Sequence, residues 1–98
     1  MTFKLAFRPI ARHELEAAAL WYEGQQRGLG ADFLSEVDRV LDLVLAHPER
    51  FPEVHRGLRR VRVKRFPYSV IYRITGAVVV VHAVFHARRD PTVWKENS

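Results

Sequence analysis

Residues 77–94, AVVVVHAVFHARRDPTVW, carry the reading of the fold. From Ala77 to His86 the chain is apolar and free of breakers, interrupted only by His82. A run of this length and β-branched content reads as a strand buried on both faces. It stops in Arg88, Arg89, Asp90 and Pro91, with Trp94 just beyond. Cations, a histidine and an aromatic are thereby held at the rim of a rigid sheet. Such a rim suits an anionic surface, either nucleic acid or an acidic protein.

Working back from that strand, Thr75-Gly76 supplies a hairpin turn and Ser69–Ile74 a second strand, with Val70, Tyr72 and Ile74 opposite Ile71 and Arg73. Phe66-Pro67-Tyr68 reads as a turn, because proline is awkward inside a sheet. Leu58–Arg65 alternates as a strand, with Arg60, Arg62 and Lys64 on one face and Val61 and Val63 on the other. Pro48–Gly57, with two prolines, reads as a loop. The last three strands form an antiparallel meander.

The first half differs. Phe3, Leu5 and Phe7 alternate with Lys4, Ala6 and Arg8 in a short amphipathic strand that Pro9 ends. Helical spacing of Leu15, Ala18, Ala19 and Tyr22 predicts a helix over Ala11–Gln26, with Glu14 and Glu16 in early turns favoured by the helix dipole. Of Trp21 and Tyr22, one is expected in the core and the other over the sheet edge. Gly28-Leu29-Gly30 breaks the pattern. A second helix follows over Ala31–Ala46, with Leu34, Val37, Leu41 and Val44 widened by Phe33, Val40 and Leu45, and His47-Pro48 closes it. A helical hairpin cannot bury its stripes alone, so it packs on the sheet. The expectation is a single α+β domain over residues 1–98, two-layered, in the order β-α-α-β-β-β. The place of the first strand in the sheet is left open.

At 98 residues the chain has one core. Its net charge of +5 is uneven. Residues 1–50 hold six Lys/Arg against eight Asp/Glu, and residues 51–98 ten against three. A localised basic half concentrates anionic partners. There is no cysteine, so disulfides, zinc-thiolate sites and thiol nucleophiles are excluded. No membrane span or signal sequence is legible, and a cytoplasmic location is expected.

His82 and His86 lie about 13 Å apart on a strand, too far for one metal to bridge. No metal site and no cofactor are expected, and no glycine-rich phosphate loop is present. His82 reads as a structural histidine on the face of Val78, Val80 and Val84. His86, at the strand end, could serve as acid or base in metal-independent RNA cleavage, with Arg62, Lys64, Arg88 and Arg89 on the phosphate. Tyr68 or Tyr72 could stack on a base or donate a proton.

Together, several segments resemble the ParE/RelE superfamily of toxins from type II toxin–antitoxin systems. They are Ala19-Leu20-Trp21-Tyr22, Gly28–Phe33, Pro48-Glu49-Arg50-Phe51-Pro52, Arg59–Arg65, Phe66–Tyr72, and His86–Pro91 with Trp94. The resemblance spans nearly the whole chain and implies a RelE-like fold. RelE-like members cleave mRNA on the ribosome. Carried over by motif, Arg62 and Lys64 keep the middle-strand cations and Arg88 the arginine after the last strand. The strand-opening arginine falls on Ser69 and the late tyrosine on Trp94, two lost parts.

The Phe-Pro-Tyr turn and the His-x-Arg-Arg-Asp-Pro ending look more like the ParE branch, which includes toxins that poison DNA gyrase by binding. The resemblance therefore implies a plasmid-stabilisation toxin acting as a protein-binding inhibitor of gyrase. A cognate antitoxin with an acidic C-terminal segment would neutralise it within a toxin–antitoxin hetero-oligomer. Arg60, Arg62, Lys64, Arg88, Arg89 and Trp94 would form the surface for target or antitoxin. The alternatives are a ribosome-dependent endoribonuclease using His86, Arg88, Lys64 and Arg62, and a non-toxic binding module of the same fold.

Overall fold

The structure, a computed structural model, describes residues 2–88 and Lys95. Strand β1 (Lys4–Phe7) leads into helices α1 (Pro9–Gln25) and α2 (Leu29–Ala46). Four strands follow: β2 (Glu53–His55), β3 (Leu58–Arg62), β4 (Tyr68–Thr75) and β5 (Val78–His86). They form one sheet in the order β1-β5-β4-β3-β2. β1 runs parallel to β5, and every other pairing is antiparallel. The two-layer α+β expectation is met, and the first strand lies beside the last.

The helices cover one face of the sheet. Val61, Val63, Val70, Tyr72, Val79, Val81 and Val84 meet Ala18, Tyr22, Phe33, Val37, Val40 and Val44 in one core. Rings add direction to this packing. Phe33 lies 5.2 Å from Tyr22, 5.2 Å from Phe66 and 5.1 Å from Tyr68, centroid to centroid. This ring cluster joins both helices to the β3–β4 turn, and such pairs contribute about 0.5–1.5 kcal/mol each beyond burial. The opposite face has a smaller buried cluster of Leu58, Ile71, Ala83 and Phe85.

Proline opens α1 in its first turn, where its missing N–H costs nothing. The helix thus begins earlier than the apolar spacing predicts. Its first turn contains no acid, and Glu14 instead accepts a 3.0 Å bond from the Val84 N–H on β5. The link to α2 is closed by Gly28 at φ 87°, a left-handed conformation natural to glycine. Gly28 has no side chain to cap α2. Glu23 of α1 does so, accepting bonds from the N–H groups of Gly28 at 2.9 Å and Gly30 at 3.0 Å. Gly30 itself is buried in the first turn of α2, where an added Cβ would lie 2.6 Å from the Ala19 carbonyl oxygen.

Three expectations need correction. The segment read as a loop contains β2, which pairs with β3 through Glu53 and His55. The β4–β5 register shifts between Ile71 and Tyr72, so Ile71 faces Ala83 while Tyr72 faces Val81, and His82 is the extra residue. This bulge reverses the alternation. Val84 joins the helix-side core, whereas His82, bonded to Arg8, lies on the other face with Val78 and Val80. Trp21 does not cover the sheet edge: Tyr22 is buried as expected, but Trp21 stays 60% exposed.

Candidate functional site

The cations of β3 are placed by simple alternation. Val61 and Val63 are buried against the helices, so Arg60 and Arg62 project from the other face. Lys64 follows in the turn and is exposed. Across the sheet Arg62 pairs with Ser69, which pairs with Phe85. Ser69 is buried in the middle of this row. A cavity of about 350 Å³ here is lined by Arg60, Arg62, Phe66, Tyr68, Ser69 and Ala87. It joins β3, the β3–β4 turn and the segment after β5.

The outer edge of β3 is only half covered. β2 meets Leu58 and Arg59, and Arg60 N–H donates to Pro52 O at 3.1 Å. Val63 N–H points inward to Tyr68 O. By alternation the N–H and C=O of Arg62 point outward, beyond the end of β2. A groove of about 420 Å³ runs beside this edge, with Val40, Leu43, Phe51, Val54 and Val61 as apolar walls and Arg60, Arg62 and Lys64 as a cationic rim. Arg59 holds the adjoining loop, donating to Glu49 O at 3.1 Å and Phe51 O at 2.7 Å.

His86 ends β5 on the helix side. Its ring stands edge-on to Tyr68, 5.3 Å away, and its Nδ1 accepts a 3.1 Å bond from Arg88 N–H. It lines a second groove of about 850 Å³, between α1 and the end of β5, with Ile10, His13, Glu14, Trp21 and Tyr68. None of these three cavities contains both His86 and the Arg60–Arg62 pair. Pro67 and Tyr68, at the β3–β4 turn, border both of their cavities.

Tyr72 is excluded from the chemistry suggested for it. The residue is fully buried and its hydroxyl donates to Pro48 O at 2.6 Å. Burial pushes its phenol up to about 12, against a smaller opposing pull from Arg59. Arg88 is exposed just past β5, while Arg89 and Trp94 lie outside the described residues. Among the described residues no group of three or more His, Cys, Asp or Glu could hold a metal ion, and no helix is long and apolar enough to cross a membrane. Sequence reasoning missed the groove along α1. Its signal was two adjacent aromatic residues, Trp21 and Tyr22, which a single helical stripe cannot both bury.

Known structures share this architecture. A chain of the chromosomal ParDE toxin–antitoxin system from P. aeruginosa superposes with a TM-score of 0.73 at 16% identity, covering 87% of this chain and 96% of that one. A mutant of the E. coli toxin RelE in the free state gives 0.71 at 21% identity, covering 98% and 94%. A chain of the RelBE2 toxin–antitoxin complex from Mycobacterium tuberculosis gives 0.61 at 22% identity, covering 88% and 99%. No curated protein sequence is significantly similar to the chain. Residues 5–91 match the model of the ParE toxin family of type II toxin–antitoxin (parDE) systems, nearly the whole of both layers, and the chain belongs to that family.

Proposed function

We propose that this protein acts by binding: it inhibits DNA gyrase and is neutralised by a cognate antitoxin with an acidic C-terminal segment. The observation that carries the reading is the half-covered edge of β3. Backbone groups of Arg62 point outward there, apolar walls lie on one side, and Arg60, Arg62 and Lys64 line the rim. An extended acidic segment satisfies all three features by adding a strand. Side chains beside Arg60 and Arg62 would be acidic, and alternate ones apolar, toward Val61, Val40 and Leu43. Two of the similar structures come from toxin–antitoxin systems, which supports a partner of this kind.

Two experiments test the two halves of the reading. Purified protein at micromolar excess should impair gyrase supercoiling or trap gyrase on cleaved DNA, and untouched gyrase activity would remove the target. The product of a neighbouring short reading frame with an acidic C-terminus should form a complex. Alanine at Arg60, Arg62 and Lys64 should weaken it, and unchanged affinity would move the antitoxin surface elsewhere.

The cavity holding Arg60, Arg62 and Tyr68 favours a second reading, ribosome-dependent mRNA cleavage with Arg62, Lys64 and Arg88 on the phosphate and His86 in proton transfer. Induction should then produce codon-periodic cuts that His86→Ala abolishes. Uncut transcripts in growth-arrested cells would eliminate it.

A further inference from the structure

A third cluster lies away from both grooves, where the end of β1 meets the bulge in β5. Arg8 follows β1 and caps α1. Its backbone N–H donates to Val81 O at 2.9 Å, and its guanidinium Nη1 lies 3.2 Å from His82 Nδ1. A guanidinium has only donors, so Nδ1 must accept and the imidazole must be neutral, with its proton on Nε2. Among the described residues the charged groups that act on His82 are Arg8 from the β1–α1 junction and Arg73 from β4, both cationic. The nearest acid on α1, Glu14, lies on the helix side of β5 and binds Val84 N–H. His82 is half-buried, and burial, then Arg8, then Arg73, all push its pKa below the ordinary histidine value.

This contact lies at the end of the backbone ladder that joins β1 to β5. β1 is a four-residue edge strand, with Lys4, Leu5 and Ala6 exposed, and among the described residues it pairs only with Val78–Val81 of β5. We infer that His82 is a proton-operated latch: neutral, it ties Arg8 and hence β1 to the β5 bulge, and protonated, it releases them. Protonation would convert the acceptor at Nδ1 into a donor facing a donor and place a third positive charge between two others. The released state would open β5 along Val78–Val81, and open strand edges recruit other strands. Native-state hydrogen exchange at Lys4–Arg8 reads the latch directly. Each unit of pKa difference between latched and released forms shifts their ratio about tenfold.

The experiment compares exchange at pH 7.5 and pH 5.5, corrected for intrinsic rates, in the native chain and in His82→Asn. Asparagine offers an acceptor near the position of Nδ1 but does not titrate. Protection at Lys4–Arg8 should fall selectively in the native chain at low pH and stay level in His82→Asn. Equal pH dependence in the two proteins would overturn the latch. Should His82→Asn fail to fold, NMR titration of His82 decides. Its midpoint should lie below the ordinary histidine range and move up in Arg8→Met, which keeps the stem and removes the charge. An ordinary midpoint unmoved by Arg8→Met would also overturn it.

Discussion

Tyr72 shows how one side chain can be mistaken for chemistry. In the sequence it is a tyrosine among cations. In the fold it is a fully buried pillar of β4, its hydroxyl bonded to the Pro48 carbonyl in the turn after α2. Tyr72→Phe keeps the ring and leaves that carbonyl without its donor. The expected cost is about 1–3 kcal/mol, read as a lower midpoint in urea or a fall in Tm. Ionisation gives a second readout. The folded phenol is raised from 10.0 to about 12, so the native state holds the proton more tightly than the unfolded chain. The stabilisation is complete below pH 10 and is lost as pH rises through about 12. The slope of stability against pH in that window should be shallower in Tyr72→Phe than in the native chain. Equal slopes would assign the alkaline transition to other groups.

At the scale of elements, α1 and α2 are held together by contacts that no helix rule names. The N-terminus of α2 has a glycine where Ser, Thr, Asp or Asn would be usual, and Glu23 reaches across from α1 to take its place. Glu23→Ala should cost about 1–2 kcal/mol, with Glu23→Gln recovering part through its remaining acceptor. For a domain of this size that is a fall in Tm of about 4–16 °C. Gly30→Ala tests the same junction by volume. Its Cβ would meet a backbone oxygen rather than a flexible side chain, so the hairpin must open, at about 1–3 kcal/mol. The long apolar stripe of α2 and the alternation of β3 and β4 were legible because period alone specifies them. The bulge at His82 was not, because an unbroken apolar run carries no mark of one extra residue. β2 was hidden for a different reason: three residues beside Pro52 are too few to show a period. The β3 cations were legible as a row. The separation of His86 from them was not, since it depends on the bulge that sets the parity of the last strand.

For the whole molecule the governing fact is the division of charge. The basic half forms β2 to β5, and the acidic half forms the helices that back them. A partner that reads the β3 edge therefore meets a field of one sign from the sheet, shielded by few local acids. Steering of this kind acts on the rate of encounter and decays with the Debye length, about 10 Å at 0.1 M salt and about 3 Å at 1 M. Association of an acidic antitoxin segment should slow by on the order of tenfold across that range, while dissociation, governed by the strand edge and its apolar groove, should change much less. Paired Arg60→Ala and Arg62→Ala substitutions should lower the rate at 0.1 M and flatten its salt dependence. Leu43→Asp in the groove wall should instead raise the dissociation rate. Stopped-flow association and surface-based dissociation measurements separate the two effects. A salt dependence that survives loss of both arginines would place the steering charge on Arg56, Lys64 or Arg73 instead. Because those residues lie on β4 and the turns flanking β3, the same series would map which part of the sheet the partner approaches first.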